Sequence, residues 1–362
     1  MNILIDINHP AHVHLLRNTY SELIKNGHSI TVTVKDIPAA KALMDSYHIP
    51  YIVIGKKDDK LALKGLDQLI YDWRIMRLVR RKDIELGIGS SINVAHVSKL
   101  SRMKGIILDD DDDYVEPLFV KYAHPYADQV LTPNSIRREA QQTIYYPGTH
   151  ELAYLHPKRF TPDPSILKEL GLSKGENFFI VRFNAFKAHH DVGAKGLSIE
   201  GKRRLIDILL KNGKVFITTE RDIDDEFLPY QLKVSQEKVH SLMYYATMFI
   251  GDSQTMTSEA AILGTPSVKC NSFAGRLAVP NELEQHYGLC YAFLPEQEND
   301  FLAKIKELLM MPNLKAEWTQ RRERFLADKI DVTAFFVYFI EGYPATVKEV
   351  KNADAKFWER FK

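Results

Sequence analysis

Short apolar runs alternate with segments of helical period along almost the whole of this sequence, and that alternation limits the possible folds more than any other feature. The first run contains Ile3, Leu4, Ile5 and Ile7. A polar turn, NHPAHVH, follows, and then Leu16, Tyr20, Leu23 and Ile24 recur at helical spacing until Gly27. SITVTV, rich in β-branched residues, reads as a second strand. Further strands are predicted at 51–55, 84–89, 105–109 and 129–133, with helices over 37–47, 61–82, 92–102 and 116–125. Strands apolar on both faces and joined by helices imply a parallel sheet, because the connections are themselves the layers that cover it.

Between about 144 and 165 the texture changes: Pro147, Gly148, Pro157, Pro162 and Pro164 crowd into a stretch that predicts neither helix nor strand and reads as an interdomain connection. The rhythm restarts with strands at 178–183, 214–219, 247–252 and 266–270 and helices over 198–212, 237–245 and 254–263. The expected organisation is an α/β chain of two Rossmann-like domains, 1–150 and 165–325, with helices in 326–362 crossing back to the first. One continuous domain is the alternative.

Composition narrows the function. With 48 Lys+Arg against 47 Asp+Glu, a formal charge of +1 supplies no broad positive field, which disfavours nucleic acid as a partner. Two cysteines, Cys270 and Cys290, lie in apolar stretches and read as core thiols in a reducing compartment. MNILIDINHP lacks a basic leader with an apolar core, and no segment reaches the roughly 18 apolar residues of a bilayer span, so a cytoplasmic location is expected. The C-terminal TAFFVYFIEGY is read as core rather than as a dimer contact or membrane-facing patch.

Candidate chemistry is sought just after the strands, where open α/β sheets bind ligands. In GDSQTMTSEAAILGTP a strand delivers Asp252 and Ser253 to the start of a helix, whose N–H groups and dipole suit a phosphate. Ser253 and Thr255 are candidate phosphate donors, and Glu259, one turn beyond Thr255, is a candidate acceptor for ribose hydroxyls; the plainer reading makes a cap of the hydroxyls and a solvated residue of Glu259. Arg182 ends FFIVRF and could present a fork of donors to a diphosphate, with Lys187 as an additional charge, or either could be a structural ion-pair member. His189 and His190 follow, of which at most one is expected to act directly, since neighbouring side chains point apart.

In the first loop His9, His12 and His14 fall within six positions, and His12, near the helix start, is the candidate general base, with a structural role as the alternative. No metal or cofactor is assigned to it. Asp109 to Asp113 follow the strand GIILD; Asp110 and Asp111 are candidates for acid–base work or for orienting an imidazole, with no basis for choosing between them. Such a run could also bind Mg²⁺ or simply be solvated. GxGxxG after the first strand, GxxxxGK[ST] and GxSxG are all absent. GIGSS at 87–91 has small residues that would let a ligand or backbone come close.

From MNILIDINHPAHVHLL to GDSQTMTSEAAILGTP the chain resembles the GT-B-like family known as domain of unknown function 354, and more distantly UDP-N-acetylglucosamine 2-epimerases and GT-B glycosyltransferases. The resemblance implies two Rossmann-like domains with parallel sheets facing across a cleft, the second binding the nucleotide. It implies a diphosphate contact for Ser253, a ribose contact for Glu259 and, from the glycosyltransferase-like HVHLLRNTYSELIKNGHSITVT, a basic role for His12. Gln254 stands where the epimerase pattern has glycine. Arg182 resembles the basic residue opening the epimerase H-R-x-E-N stretch, and the acidic loop occupies the place of catalytic carboxylates. The leading expectation is transfer of a sugar from a nucleotide diphosphate sugar, UDP-linked, to a hydroxyl acceptor. An epimerase-like isomerase is the alternative, and a sugar-nucleotide-binding protein without activity is the third class.

Overall fold

In the computed structural model the described residues are 1–56, 61–138, 140–173, 175–183, 196–219, 223–232 and 234–362. They form two compact units: Met1–Arg159 with Lys329–Lys362, and Phe160–Asp328.

The first unit is built on seven strands, β1 (Asn2–Ile7), β2 (Ser29–Asp36), β3 (Ile52–Lys56), β4 (Leu86–Gly89), β5 (Lys104–Leu108), β6 (Gln129–Pro133) and β7 (Thr143–Tyr146). All pair in parallel in the order β3-β2-β1-β4-β5-β6-β7. β1 is buried from Ile3 to Ile7, as a central strand covered on both faces must be. The strand order turns at β1, so the carboxyl ends of β1 and β4 flank the crevice where such sheets bind ligands. Gly89 sits there at φ 155°, and a Cβ on it would lie 2.5 Å from the Asp6 carbonyl oxygen. The small residues of GIGSS therefore serve a close approach of backbone to backbone.

The stretch from 144 corrects the sequence reading. Its first part is no linker: β7 pairs with β6, and the short helix Leu152–Leu155 follows, all within the first unit. Pro147 comes one residue after the last paired position, so it ends the strand without costing it a hydrogen bond. The Tyr146 ring meets Phe335 and Phe336 of the helix Val332–Glu341, which holds the edge strand down. That helix, from TAFFVYFIEGY, is core, with Phe335, Phe336, Phe339 and Ile340 buried. Asp331 caps it by accepting from the Ala334 N–H, and also pairs with Arg159.

The second unit carries β8 (Phe178–Arg182), β9 (Lys214–Thr218), β10 (Met248–Gly251), β11 (Ser267–Cys270) and β12 (Cys290–Phe293), parallel in the order β12-β11-β10-β8-β9. The order turns at β8, between β8 and β10. Gly251 repeats the device of Gly89: a Cβ there would lie 2.2 Å from the Arg182 carbonyl oxygen. β12 is an edge strand that the sequence pattern does not announce, being four residues long with only its first fully buried. No helix among the described residues is long and apolar enough to cross a membrane.

Candidate functional site

At the turn of the first sheet the organising group is the Asp6 carboxylate, buried at the end of β1. It accepts from Thr33 Oγ1 at 2.6 Å, from Asn8 Nδ2 at 2.9 Å and from Ser91 Oγ. These charge-assisted bonds tie β1, β2 and the start of the Ile92–Leu100 helix together beneath the 8–12 loop. His9 caps the Pro10–Lys25 helix through its own ring, accepting from the Ala11 N–H. His12 lies in the first turn of that helix, half-buried. Burial, with the neighbouring His9 and His150, lowers its pKa to about 3 against the opposing pull of Asp110, so the ring is neutral at physiological pH. The Asn8 N–H donates to its Nδ1 at 3.4 Å. That contact favours the tautomer with the proton on Nε2, so in this arrangement the free ring nitrogen offers a hydrogen bond rather than a lone pair.

The five carboxylates after β5 divide according to their partners. Asp109 is buried, meets His124 Nε2 at 2.7 Å and Arg138 at 3.0 Å, and Arg138 also binds Asp113. Asp109 and Asp113 are thus structural anchors of the loop. Asp110 pairs instead with His150, Oδ1 to Nδ1 at 3.0 Å. Burial would raise the Asp110 pKa, but the charge and hydrogen bond of His150 override it and hold the carboxyl below its usual range. The same pair holds His150 above the usual imidazole range against the effect of its own burial. His150 Nε2 is buried and has no hydrogen-bond partner among the described residues. Glu151, also buried, is pushed up to about 7 by burial and by the Asp110 charge. Asp111 is pushed up to about 8 by dense surroundings and by the charges of Asp110, Asp109 and Glu116. The Asp111 side chain itself is open to water. The structure thus distinguishes the two candidates: Asp110 is the imidazole-bound carboxylate and Asp111 the one exposed on the loop.

In the second unit Ser253 is the N-cap of the Gln254–Ile262 helix, its Oγ accepting from the Met256 N–H at 3.4 Å. Thr255 is exposed, whereas Glu259 is buried and meets His240 Nε2 at 3.0 Å. Glu259 is therefore not a solvated carboxylate, and it does not share an exposed face with Thr255. Gln254, at the first position of the helix, accepts from the ammonium of Lys269, which is 1% exposed on β11. Burial lowers the Lys269 pKa to about 8. The side chain that stands in place of a glycine thus solvates a buried cation beneath the helix start. Arg182 ends β8 beside Gly251. Lys187 and His189 lie outside the described residues. Both cysteines are buried and unpaired, and burial first of all pushes each thiol up to about 12.

Sequence reasoning missed Asp6, His150, Glu151 and Lys269. His150 and Glu151 carried a usable signal, a vicinal His-Glu immediately after the β-branched and aromatic TIYY, but the neighbouring prolines directed the segment to a linker. Asp6 and Lys269 sit inside apolar strands, where a charged side chain is itself informative because burying it requires partners.

Two Rossmann-like domains with parallel sheets, each with a polar cluster where its strand order turns, define a protein of the GT-B-like class. The chain belongs to the family described as protein of unknown function (DUF354), whose model matches residues 1–282. An uncharacterised protein of Methanocaldococcus jannaschii is 25% identical over 295 residues, 75% of this chain and 82% of that protein. Among solved structures, the spinosyn forosaminyltransferase SpnP superposes with a TM-score of 0.65 at 14% identity, covering 97% of this chain and 100% of that one. The Methanocaldococcus jannaschii UDP-GlcNAc 2-epimerase in complex with UDP-GlcNAc and UDP gives 0.61 at 11% identity, covering 89% and 99%. At such identities the likeness establishes the fold.

Proposed function

We propose that this chain is an enzyme acting on a nucleotide diphosphate sugar, UDP-linked, and that its chemistry is the epimerase-like movement of a proton on the sugar. The observation that carries the reading is the Asp110–His150 pair beside Glu151 and a neutral His12. Taking a proton from the carbon beside the anomeric centre and returning one requires both an acceptor and a donor, and environments that push protonation states apart provide them. Transfer to an acceptor hydroxyl requires only a single base, and His12 in its Nε2–H form does not supply one. Asp110 holds the His150 imidazole, and Glu151 titrates near neutrality.

The second unit takes the nucleotide in this reading. The Gln254–Ile262 helix start, with Ser253 and Thr255, receives the diphosphate, Lys269 beneath it adds positive charge, and Arg182 and Lys187 offset the charge that develops as the nucleotide departs. Glu259, held by His240, is assigned to the ribose and His189 to the sugar.

Glycosyl transfer remains the second reading, favoured by the likeness to SpnP and by the position of His12 at a helix start. One experiment separates them: incubation with UDP-N-acetylglucosamine in D₂O without acceptor. Carbon-bound deuterium in recovered sugar is the expected result. Turnover that requires an acceptor and leaves the sugar carbons unlabelled would establish transfer instead.

A further inference from the structure

The first unit carries a surface that its catalytic cluster does not explain. The helix Leu61–Lys82 presents Leu69, Ile70 and Trp73 to solvent, at 69%, 40% and 58% exposure. A polar relay fixes its orientation: Asp72, from its inner face, meets His96 of the Ile92–Leu100 helix at 2.7 Å, and His96 Nε2 meets the Tyr122 carbonyl oxygen at 2.9 Å. These segments therefore form one helical layer over the sheet, in which Leu100, Leu118 and Tyr122 are also exposed. Monomer surfaces scatter single apolar residues, but Leu69, Ile70 and Trp73, exposed within little more than one turn of one helix, call for a partner.

Charge identifies that partner. Arg74, Arg77, Arg80 and Arg81 are exposed on the same helix, and Arg102 and Lys121 extend the basic area on the adjoining segments. The helix carries two acids, half-buried Asp67 and buried Asp72, which pairs with His96, against its four exposed arginines; the next acids along the chain, Asp83 and Glu85, lie in the turn into β4. In a chain whose formal charge is +1, this face is strongly cationic. Arg77 lies over the Trp73 ring at 5.1 Å, so the apolar and basic groups adjoin. An aliphatic and tryptophan patch bordered by arginines fits the interface of an anionic bilayer, where apolar side chains enter the headgroup boundary and arginines meet phosphates. A nucleic acid would use the arginines but would gain little from Leu69, Ile70 and Leu118.

We propose that this helical layer docks the protein reversibly on an anionic membrane surface, with Leu69, Ile70 and Trp73 as the inserted groups and the arginines as the electrostatic contact. The inference is independent of the reaction proposed above.

The test is flotation of the full chain with phosphatidylcholine vesicles, with and without phosphatidylglycerol. Comparison proteins are Leu69→Ser with Trp73→Ser, and Arg77→Glu with Arg81→Glu; all four positions are exposed, so thermal unfolding should be unchanged. Binding should require the anionic lipid and weaken with salt. Reversing the two arginines should reduce it about 25-fold or more, at roughly fivefold per charge. Brominated lipid should quench the fluorescence of the wild type more than that of Trp73→Phe. No binding to anionic vesicles, or binding by both double variants equal to that of the wild type, would overturn the proposal. So would retention of an RNA oligonucleotide that depends on the arginines and not on Leu69 and Trp73, with no vesicle binding.

Discussion

Replacing Asp110 with Asn removes a charge from the pair that organises the first unit's acid–base cluster, and its effect on stability depends on pH in a defined direction. Asp110 is held below its ordinary 3.8, so its contribution is present above that value and is lost as pH falls through the folded pKa. His150 is held above its ordinary 6.5, so its contribution is present below that value and is lost as pH rises through the folded pKa. The pair therefore stabilises most between 3.8 and 6.5. Breaking a fully buried pair costs about 3–5 kcal/mol, and an exposed one contributes about 0–1 kcal/mol. With side-chain exposures of 34% for Asp110 and 10% for His150, an intermediate loss is expected. We expect Asp110→Asn to lose about 2 kcal/mol near pH 5.5 and about 1 kcal/mol or less near pH 9, where the imidazole is neutral in both states. Urea unfolding at the two pH values, with the His150 ring proton resonance followed in parallel, measures both effects. The resonance should titrate above the ordinary imidazole value in the wild type and below it in the variant. Equal destabilisation at the two pH values, or a larger loss at high pH, would refute the coupling.

Glu259→Ala should weaken UDP binding by about 5–150-fold in calorimetric titration, and should also lower stability by about 1–3 kcal/mol because His240 loses its buried partner. Equal UDP affinity in the folded variant would remove Glu259 from the ribose. Gly251→Ala must displace the Arg182 backbone, whereas Gly171→Ala, at φ 60° with nothing within 4 Å of its new Cβ, meets only backbone strain. Thermal unfolding should therefore place the Gly251 variant well below the Gly171 variant, which itself loses about 1–2 kcal/mol. Phe336→Ala, at a fully buried position against β7, should cost about 3–5 kcal/mol in denaturant unfolding.

The alternation of apolar runs with helical segments was sufficient to determine the α/β class and most of the strands, because a strand covered on both faces must be apolar throughout, and such runs are visible one residue at a time. It failed at β7 and β12, both short edge strands: each satisfies its ladder from one side only, and β7 is completed by contacts with Phe335 and Phe336 from the far end of the chain. Residues that follow strands could be identified as candidates from position alone, and His12, Asp110, Arg182 and Ser253 were found that way. Their protonation and partners could not, because these depend on groups distant in sequence. His150 lies 40 residues from Asp110, a separation that spacing alone does not relate to contact. Likewise the burial of Glu259 against His240, and of Lys269 beneath Gln254, follows from the packing of neighbouring elements. Local periodicity thus determined most of the segments that become strands, while only the tertiary structure decided how they pair and which charges lie together away from water, and hence which of them can hold or release a proton.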